Sequence, residues 1–171
     1  PDTIFSATRY NLKDPRVAWR AALLTAQRQT DELSGKLLLA FSDSLFEPYG
    51  IDNAELFLSS VDTQVITARF DGEGDRQVVI ARVKDRVTLL SSVARELRSE
   101  KPTEPESGTN LWQSPDGDIA MAIAGDVVII GYPDAVQLSI NAGKRTGGTE
   151  LPASIKAIAA STAAATTIGG D

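Results

Sequence analysis

The chain of 171 residues carries a formal net charge of -6 and contains neither histidine nor cysteine. A chain of this length can fold as one domain without disulfides or metals, and its negative charge argues against nucleic acid, whose phosphates require a basic face. Without histidine and cysteine, the chain lacks the side chains most often used as general bases, soft metal ligands and activated nucleophiles.

The start of the chain predicts one strand followed by two apolar helices. A strand over residues 3–9 precedes Asp14 and Pro15, a pair typical of a helix start because aspartate caps the helix and proline suits its first turn. This helix extends to about Gln29 and is apolar around most of its circumference, which predicts that it is largely buried. A second helix over residues 31–47 carries an apolar stripe with helical period.

The middle of the chain predicts a β-hairpin followed by a helix. Residues 62–70 and 76–84 alternate between apolar and polar side chains, and a segment rich in glycine and aspartate separates them. Asp85 then caps a helix. The predicted inner face of that helix consists of Val87, Leu90, Ala94 and Leu97.

A second hairpin is predicted after a polar surface loop over residues 101–108. Residues 118–124 pair with residues 127–132 across Gly125 and Asp126, a connection suited to a primed turn. The strand over residues 118–124 is apolar on both faces, and its alanines all lie on one face. This pattern predicts a central strand with a helix lying close against the alanines.

The last part of the chain predicts a helix from Pro133 to Gly143, then a loop and an alanine-rich terminal segment over residues 144–171. Because hairpins dominate, we expect an α+β fold with a mainly antiparallel, curved sheet built from β-hairpins. Helices should pack chiefly on one face of it, as in a two-layer sandwich. We interpret residues 1–171 as a single domain, and the alternative of a fragment of a longer chain stays open.

One acidic segment resembles the start of a calcium-binding loop. Asp71, Glu73 and Asp75 place carboxylates at every second position. The sixth and twelfth positions of such a loop require glycine and glutamate, and here they hold Arg76 and Arg82. We therefore favour a solvated turn and predict no metal site.

Two further sequence patterns are candidate reactive sites. Residues 143–149 combine glycines with a lysine and an arginine and can cradle an anion, although a flexible connector suits their spacing better. Lysine can also activate serine, and the pairs Ser99 with Lys101 and Ser154 with Lys156 fit that pattern. Short matches of this kind arise by chance, and we predict no catalytic residue and no cofactor.

The N-terminal proline gives the most specific chemical hypothesis. Pro1 followed by a strand resembles the tautomerase family, in which the N-terminal amine acts as a general base. This resemblance implies that Arg9 or Arg16 binds a substrate carboxylate. The family's β-α-β unit is missing, because two helices and then hairpins follow here.

A broader resemblance covers residues 50–143. Val83, Lys84 and Asp85, together with the apolar phrase over residues 117–131, resemble uncharacterised bacterial extracytoplasmic proteins, often lipoproteins, built from hairpin–helix units. The resemblance implies a mature domain beyond a removed signal or anchor segment, and thus a periplasmic or cell-envelope location, with the cytoplasm as the alternative. No stretch reaches the roughly 18 apolar residues of a membrane span, so we expect no membrane insertion of this segment.

Two aromatic residues are the candidate binding residues. Trp112 lies beside the long polar loop and Tyr132 ends a strand, and aromatic side chains near loops are favoured as anchors for a protein partner. A structural role at one end of the sheet is the favoured alternative for both. We expect a non-catalytic binding or scaffold module that uses one sheet face or residues 101–118. The alternative is a small enzyme using carboxylate or N-terminal proline acid–base chemistry.

Overall fold

The computed structural model describes residues 6–70, 76–99, 101–106, 108–144 and 165–169. Its strands are β1 Ser6–Asn11, β2 Val61–Arg69, β3 Gln77–Val83, β4 Thr103–Glu106, β5 Thr109–Gln113, β6 Ala120–Ala124, β7 Val127–Gly131 and β8 Ala165–Gly169. Its helices are α1 Pro15–Gln29, α2 Glu32–Ala40, α3 Ala54–Ser60, α4 Arg86–Ser92, α5 Arg95–Ser99 and α6 Pro133–Lys144, with short 3-10 turns at Asp43–Leu45 and Glu47–Tyr49.

The strands form one sheet in the order β4-β5-β6-β7-β3-β2-β1-β8, and every neighbouring pair is antiparallel. Both predicted hairpins are present, as β2 with β3 and as β6 with β7. In the second hairpin Gly125 has a φ of 59° and Asp126 a negative φ, the pattern of a type II′ turn. The predicted α+β fold with an antiparallel sheet is confirmed.

The larger core lies between the sheet and α3, α4 and α5. Phe57, Leu89 and Leu97, one from each of these helices, are completely buried in it. Val65 of β2 and Val79 of β3 point from the sheet into the same core, because every second residue of a strand lies on the same face. Helix α1 borders this core through Trp19, whose ring packs edge-on against Phe46.

A smaller core lies on the opposite face of the sheet, beneath α6. Ala120 and Ala122 of β6 are buried there against Val136 and Ile140 of α6. The small alanine side chains let the helix approach the sheet closely. The prediction of a helix over the alanines is confirmed, and α6 adds a third layer to a sheet whose helices pack chiefly on the other face.

The prediction that the first helix is largely buried is wrong. Within α1 only Pro15 is buried, and Val17 and Leu24 are about half exposed. The helix packs against α2, α3 and β2, and on its outer side Val17, Ala21, Ala22 and Leu24 are exposed. Small apolar residues tolerate exposure, so an apolar circumference did not require burial on all sides.

Three other boundaries differ from the sequence-based predictions. The helix predicted over residues 31–47 ends at Ala40 and gives way to 3-10 turns. The helix after Asp85 divides into α4 and α5 at Val93, which forms a β-bridge with Ile51. Val87, predicted on the inner face of this helix, is 77% exposed. The predicted loop over residues 101–108 contains β4, which pairs with β5.

The terminal segment lies largely outside the described residues. Its described part, residues 165–169, is a strand that pairs with β1.

Candidate functional site

The two predicted binding residues lie in different environments. Trp112 is only 7% exposed, because it stands opposite Met121 in the sheet and packs into the larger core. Tyr132 is 37% exposed directly after β7, where its backbone N–H donates to the carbonyl oxygen of Gln77 (3.1 Å). Trp112 therefore offers little surface to a partner, and a binding role for the pair stays a prediction.

Most of the predicted reactive motifs fall outside the described residues, namely Pro1, residues 71–75, residues 145–149 and the pair Ser154 with Lys156. Of the two arginines considered with Pro1, Arg9 stands opposite Ile66 in the sheet and Arg16 lies in the first turn of α1. Within the described ranges, no group of three or more acidic, histidine or cysteine residues is placed to hold a metal ion.

Among the described residues, α2 and the turn after it carry the largest group of exposed apolar side chains. This helix begins at the cap Asp31, whose carboxylate accepts from the backbone N–H of Ser34 (3.0 Å). Hydrogen bonds from Ser34 hold the pKa of Asp31 below its usual value. These hydrogen bonds fix the first turn of α2, and the first turn sets the direction in which the later side chains of the helix point.

Helix α2 packs against α1 through its one glycine. A Cβ at Gly35 would lie 2.8 Å from Cγ of Gln27 and 3.1 Å from the Gln27 carbonyl oxygen, so the two backbones approach closely there. At roughly 100° per residue, positions 33, 37 and 41 lie about 160–240° around the helix from Gly35. The side of α2 that carries them therefore points away from α1.

We call Leu33, Leu37 and Phe41 the α2 stripe. Their side chains are 68%, 48% and 63% exposed, and Leu45 beyond them is also about half exposed. The spacing of i, i+4 and i+8 aligns them in one row along the helix. Single exposed apolar residues are ordinary, but a contiguous row of large ones marks an interaction surface.

The neighbouring helix α1 has an exposed row of its own, formed by Val17, Ala21 and Leu24. This helix carries three arginines and no carboxylate, although the whole chain is acidic. One of them, Arg20, forms an ion pair with Glu55 of α3, and this pair ties α1 to the body of the molecule. The outer surface of the two helices thus combines apolar rows with positive charge on α1.

A shallow groove of about 340 Å³ opens between β2 and β3, next to an irregularity of the β2–β3 register between Val61 and Val65. It is lined by Asp62, Thr63, Gln64, Ile66, Ile80, Ala81, Arg82 and Val127. At its rim Nε of Arg82 lies 3.1 Å from a carboxylate oxygen of Asp126, and both side chains are well exposed. Its volume is at the lower end for small-molecule sites, and its one arginine is already paired.

The sequence predicted an apolar stripe with helical period on this helix but not the surface that the stripe faces. The helical period of Leu37, Phe41 and Leu45 indicated an apolar face, which is normally directed to a core. The residue that reveals the true orientation is Gly35, because it is the point of closest approach to α1. The groove between β2 and β3 left no signal in the sequence, since it depends on a register irregularity.

No protein-family model, no curated protein and no solved structure matches this chain. In the part of the chain that the structure describes, none of the helices combines the length and the apolar character needed to cross a bilayer.

Proposed function

We propose that the protein is a non-catalytic binding module that docks onto a protein partner through the α2 stripe. The observation that carries this proposal is the exposure of three large apolar side chains in one helical row. Rows of this spacing are the anchors by which amphipathic helices bind apolar surfaces of other proteins.

Covering the α2 stripe with a partner contributes favourable free energy, because it buries apolar side chains that water otherwise surrounds. Full burial of a leucine or phenylalanine side chain contributes about 1.5–3 kcal/mol, so covering three that are between 48% and 68% exposed yields about 3–5 kcal/mol. Association itself costs several kcal/mol, and the polar surroundings of the stripe must add contacts for a stable complex. We therefore expect a reversible interaction.

We further propose that the module works in the periplasm or cell envelope. The support is the resemblance of residues 50–143 to extracytoplasmic proteins built from hairpin–helix units. Fractionation of native cells tests this location directly. Recovery of the full-length protein in the cytosolic fraction alone would contradict it.

Site-specific photo-crosslinking tests the docking function. A photoreactive amino acid replaces Leu37 in the full-length protein in its native cells, and the matched control carries it at Val87, which is exposed on α4. We expect irradiation to give a discrete protein adduct from position 37 and none from position 87. The absence of an adduct at position 37, or equal adducts at both positions, would refute the proposed function.

A further inference from the structure

We infer that the partner on the α2 stripe is a second copy of this chain, which rests on the docking function proposed above. The spacing of the stripe is self-complementary about a twofold axis. If two α2 helices pack antiparallel with the axis beside Leu37, Leu33 of each copy meets Phe41 of the other, and the two Leu37 side chains meet at the centre. Such an isologous contact is the commonest way in which identical chains pair.

The charges of α2 permit this pairing although each copy carries a net charge of -6. Between its cap Asp31 and Phe41 the helix has two charged residues, and they neutralise each other, because Nζ of Lys36 lies 2.6 Å from Oε1 of Glu32. At the centre of the contact, the negative charge of Glu32 in each copy is therefore compensated by Lys36 of the same copy. The antiparallel arrangement also places the positive end of each helix dipole beside the negative end of the other.

The exposed area matches a weak specific dimer. With Ala40 and Leu45, the stripe presents on the order of 500 Å² per copy, so a dimer buries on the order of 1,000 Å² in total, at the lower limit for specific interfaces. An interface of this size and apolar character is reversible. We expect a dissociation constant on the order of micromolar.

Sedimentation equilibrium tests the inference with matched variants. Between about 1 µM and about 500 µM, the apparent mass of the unaltered protein should rise from that of one chain toward that of two. Leu37→Glu introduces a charge on the axis and should weaken association at least about tenfold. Val87→Glu places the same charge at an exposed apolar position on α4 and should leave association unchanged. Far-UV circular dichroism of each variant verifies that it is folded.

Disulfide trapping gives an independent readout of the axis, since the native chain has no cysteine. Under mild oxidation Leu37→Cys should form a covalent dimer, and Val87→Cys should remain monomeric. A protein that stays monomeric at all concentrations, or a dimer that persists in Leu37→Glu, would overturn the inference. A crosslink from position 37 to a different protein, with a monomeric chain, would leave the docking function standing without the dimer.

Discussion

Gly131 shows how one residue controls the contact between two strands. At this position β7 passes so close to β3 that a Cβ would lie 2.2 Å from the carbonyl oxygen of Gln77. Its φ of 147° is also a conformation that residues with side chains rarely adopt. Gly131 is the last residue of β7, and α6 begins two residues later at Pro133. The placement of α6 therefore depends on this glycine.

We expect Gly131→Ala to lower the free energy of unfolding by about 2–4 kcal/mol, because backbone atoms must move to admit the methyl group. The control is Gly125→Ala, where φ is also positive but nothing lies within 4 Å of the added carbon. It should cost only about 1–2 kcal/mol. Urea denaturation of both variants measures the difference, and equal losses would show that the close approach is unimportant.

Asp85 illustrates how a helix cap becomes sensitive to pH. The Thr88 hydroxyl donates to its carboxylate (2.6 Å), and the backbone N–H groups of Val87 and Thr88 donate as well. The side-chain bond from Thr88 is the main cause of a pKa below the usual value for aspartate. Because the folded pKa lies below the unfolded one, the cap stabilises the fold above the unfolded pKa and loses its effect as pH falls through the folded pKa.

We expect Thr88→Val to raise the pKa of Asp85 toward the ordinary aspartate value, since valine keeps the shape but removes the donor. A carboxyl titration by nuclear magnetic resonance measures this shift. Ser91→Ala serves as the control, because the Ser91 hydroxyl donates to the carbonyl oxygen of Val87 and not to Asp85. An unchanged Asp85 pKa in Thr88→Val would show that the hydroxyl does not hold the carboxylate.

At the scale of the elements, the helices differ in how far they contribute to the core. Phe57 of α3 is completely buried, while Phe41 at the end of α2 is 63% exposed. The two phenylalanines are thus chemically identical probes of the inner and the outer helix layers. Their different burial predicts different consequences of the same truncation.

We expect Phe57→Ala to lower the free energy of unfolding by about 3–5 kcal/mol, because it removes a ring from a closely packed core. In contrast, Phe41→Ala should cost less than about 1 kcal/mol when measured on dilute, monomeric protein. Guanidinium denaturation at low protein concentration provides both values. A loss for Phe41→Ala as large as for Phe57→Ala would mean that α2 belongs to the core.

The elements that follow a strong local period were predictable from the sequence. Alternation over β2 and β3 and the glycine in the second hairpin turn specified two hairpins, and the alanines of β6 predicted α6 above them. Strand β4 was not predictable, since it contains Pro105 and two glutamates, which rarely occur within strands. It forms because β5 offers a partner, and its position at the edge of the sheet tolerates proline and charge.

The candidate site was less predictable for a related reason. A helical period reveals that α2 has an apolar face but not what that face meets, because orientation depends on the contact with α1 at Gly35. Trp112 shows the same dependence, since its place beside a polar loop in the sequence left two roles open, an anchor for a partner and the favoured structural role at one end of the sheet. The pairing of β5 with β6 buries it, and such pairing is a property of the whole fold.

At the scale of the whole molecule, two cores on opposite faces of one sheet hold most of the buried apolar residues, and the α1–α2 pair borders the larger core through Trp19. This pair holds apolar side chains that neither core uses. The fold therefore separates a buried interior from an outer helix surface with exposed apolar side chains, on which we propose that a partner docks. A second copy packed on that surface would bury it.

Hydrogen–deuterium exchange of α2 at increasing protein concentration tests this claim most directly. Between about 1 µM and about 500 µM, pairing should slow exchange of the α2 amides, because a contact with a second copy suppresses local opening of the outermost helix. The amides of α4, which carries the exposed Val87 but no apolar row, should exchange at the same rate throughout. Exchange of α2 that does not depend on concentration would show that no second copy covers this helix.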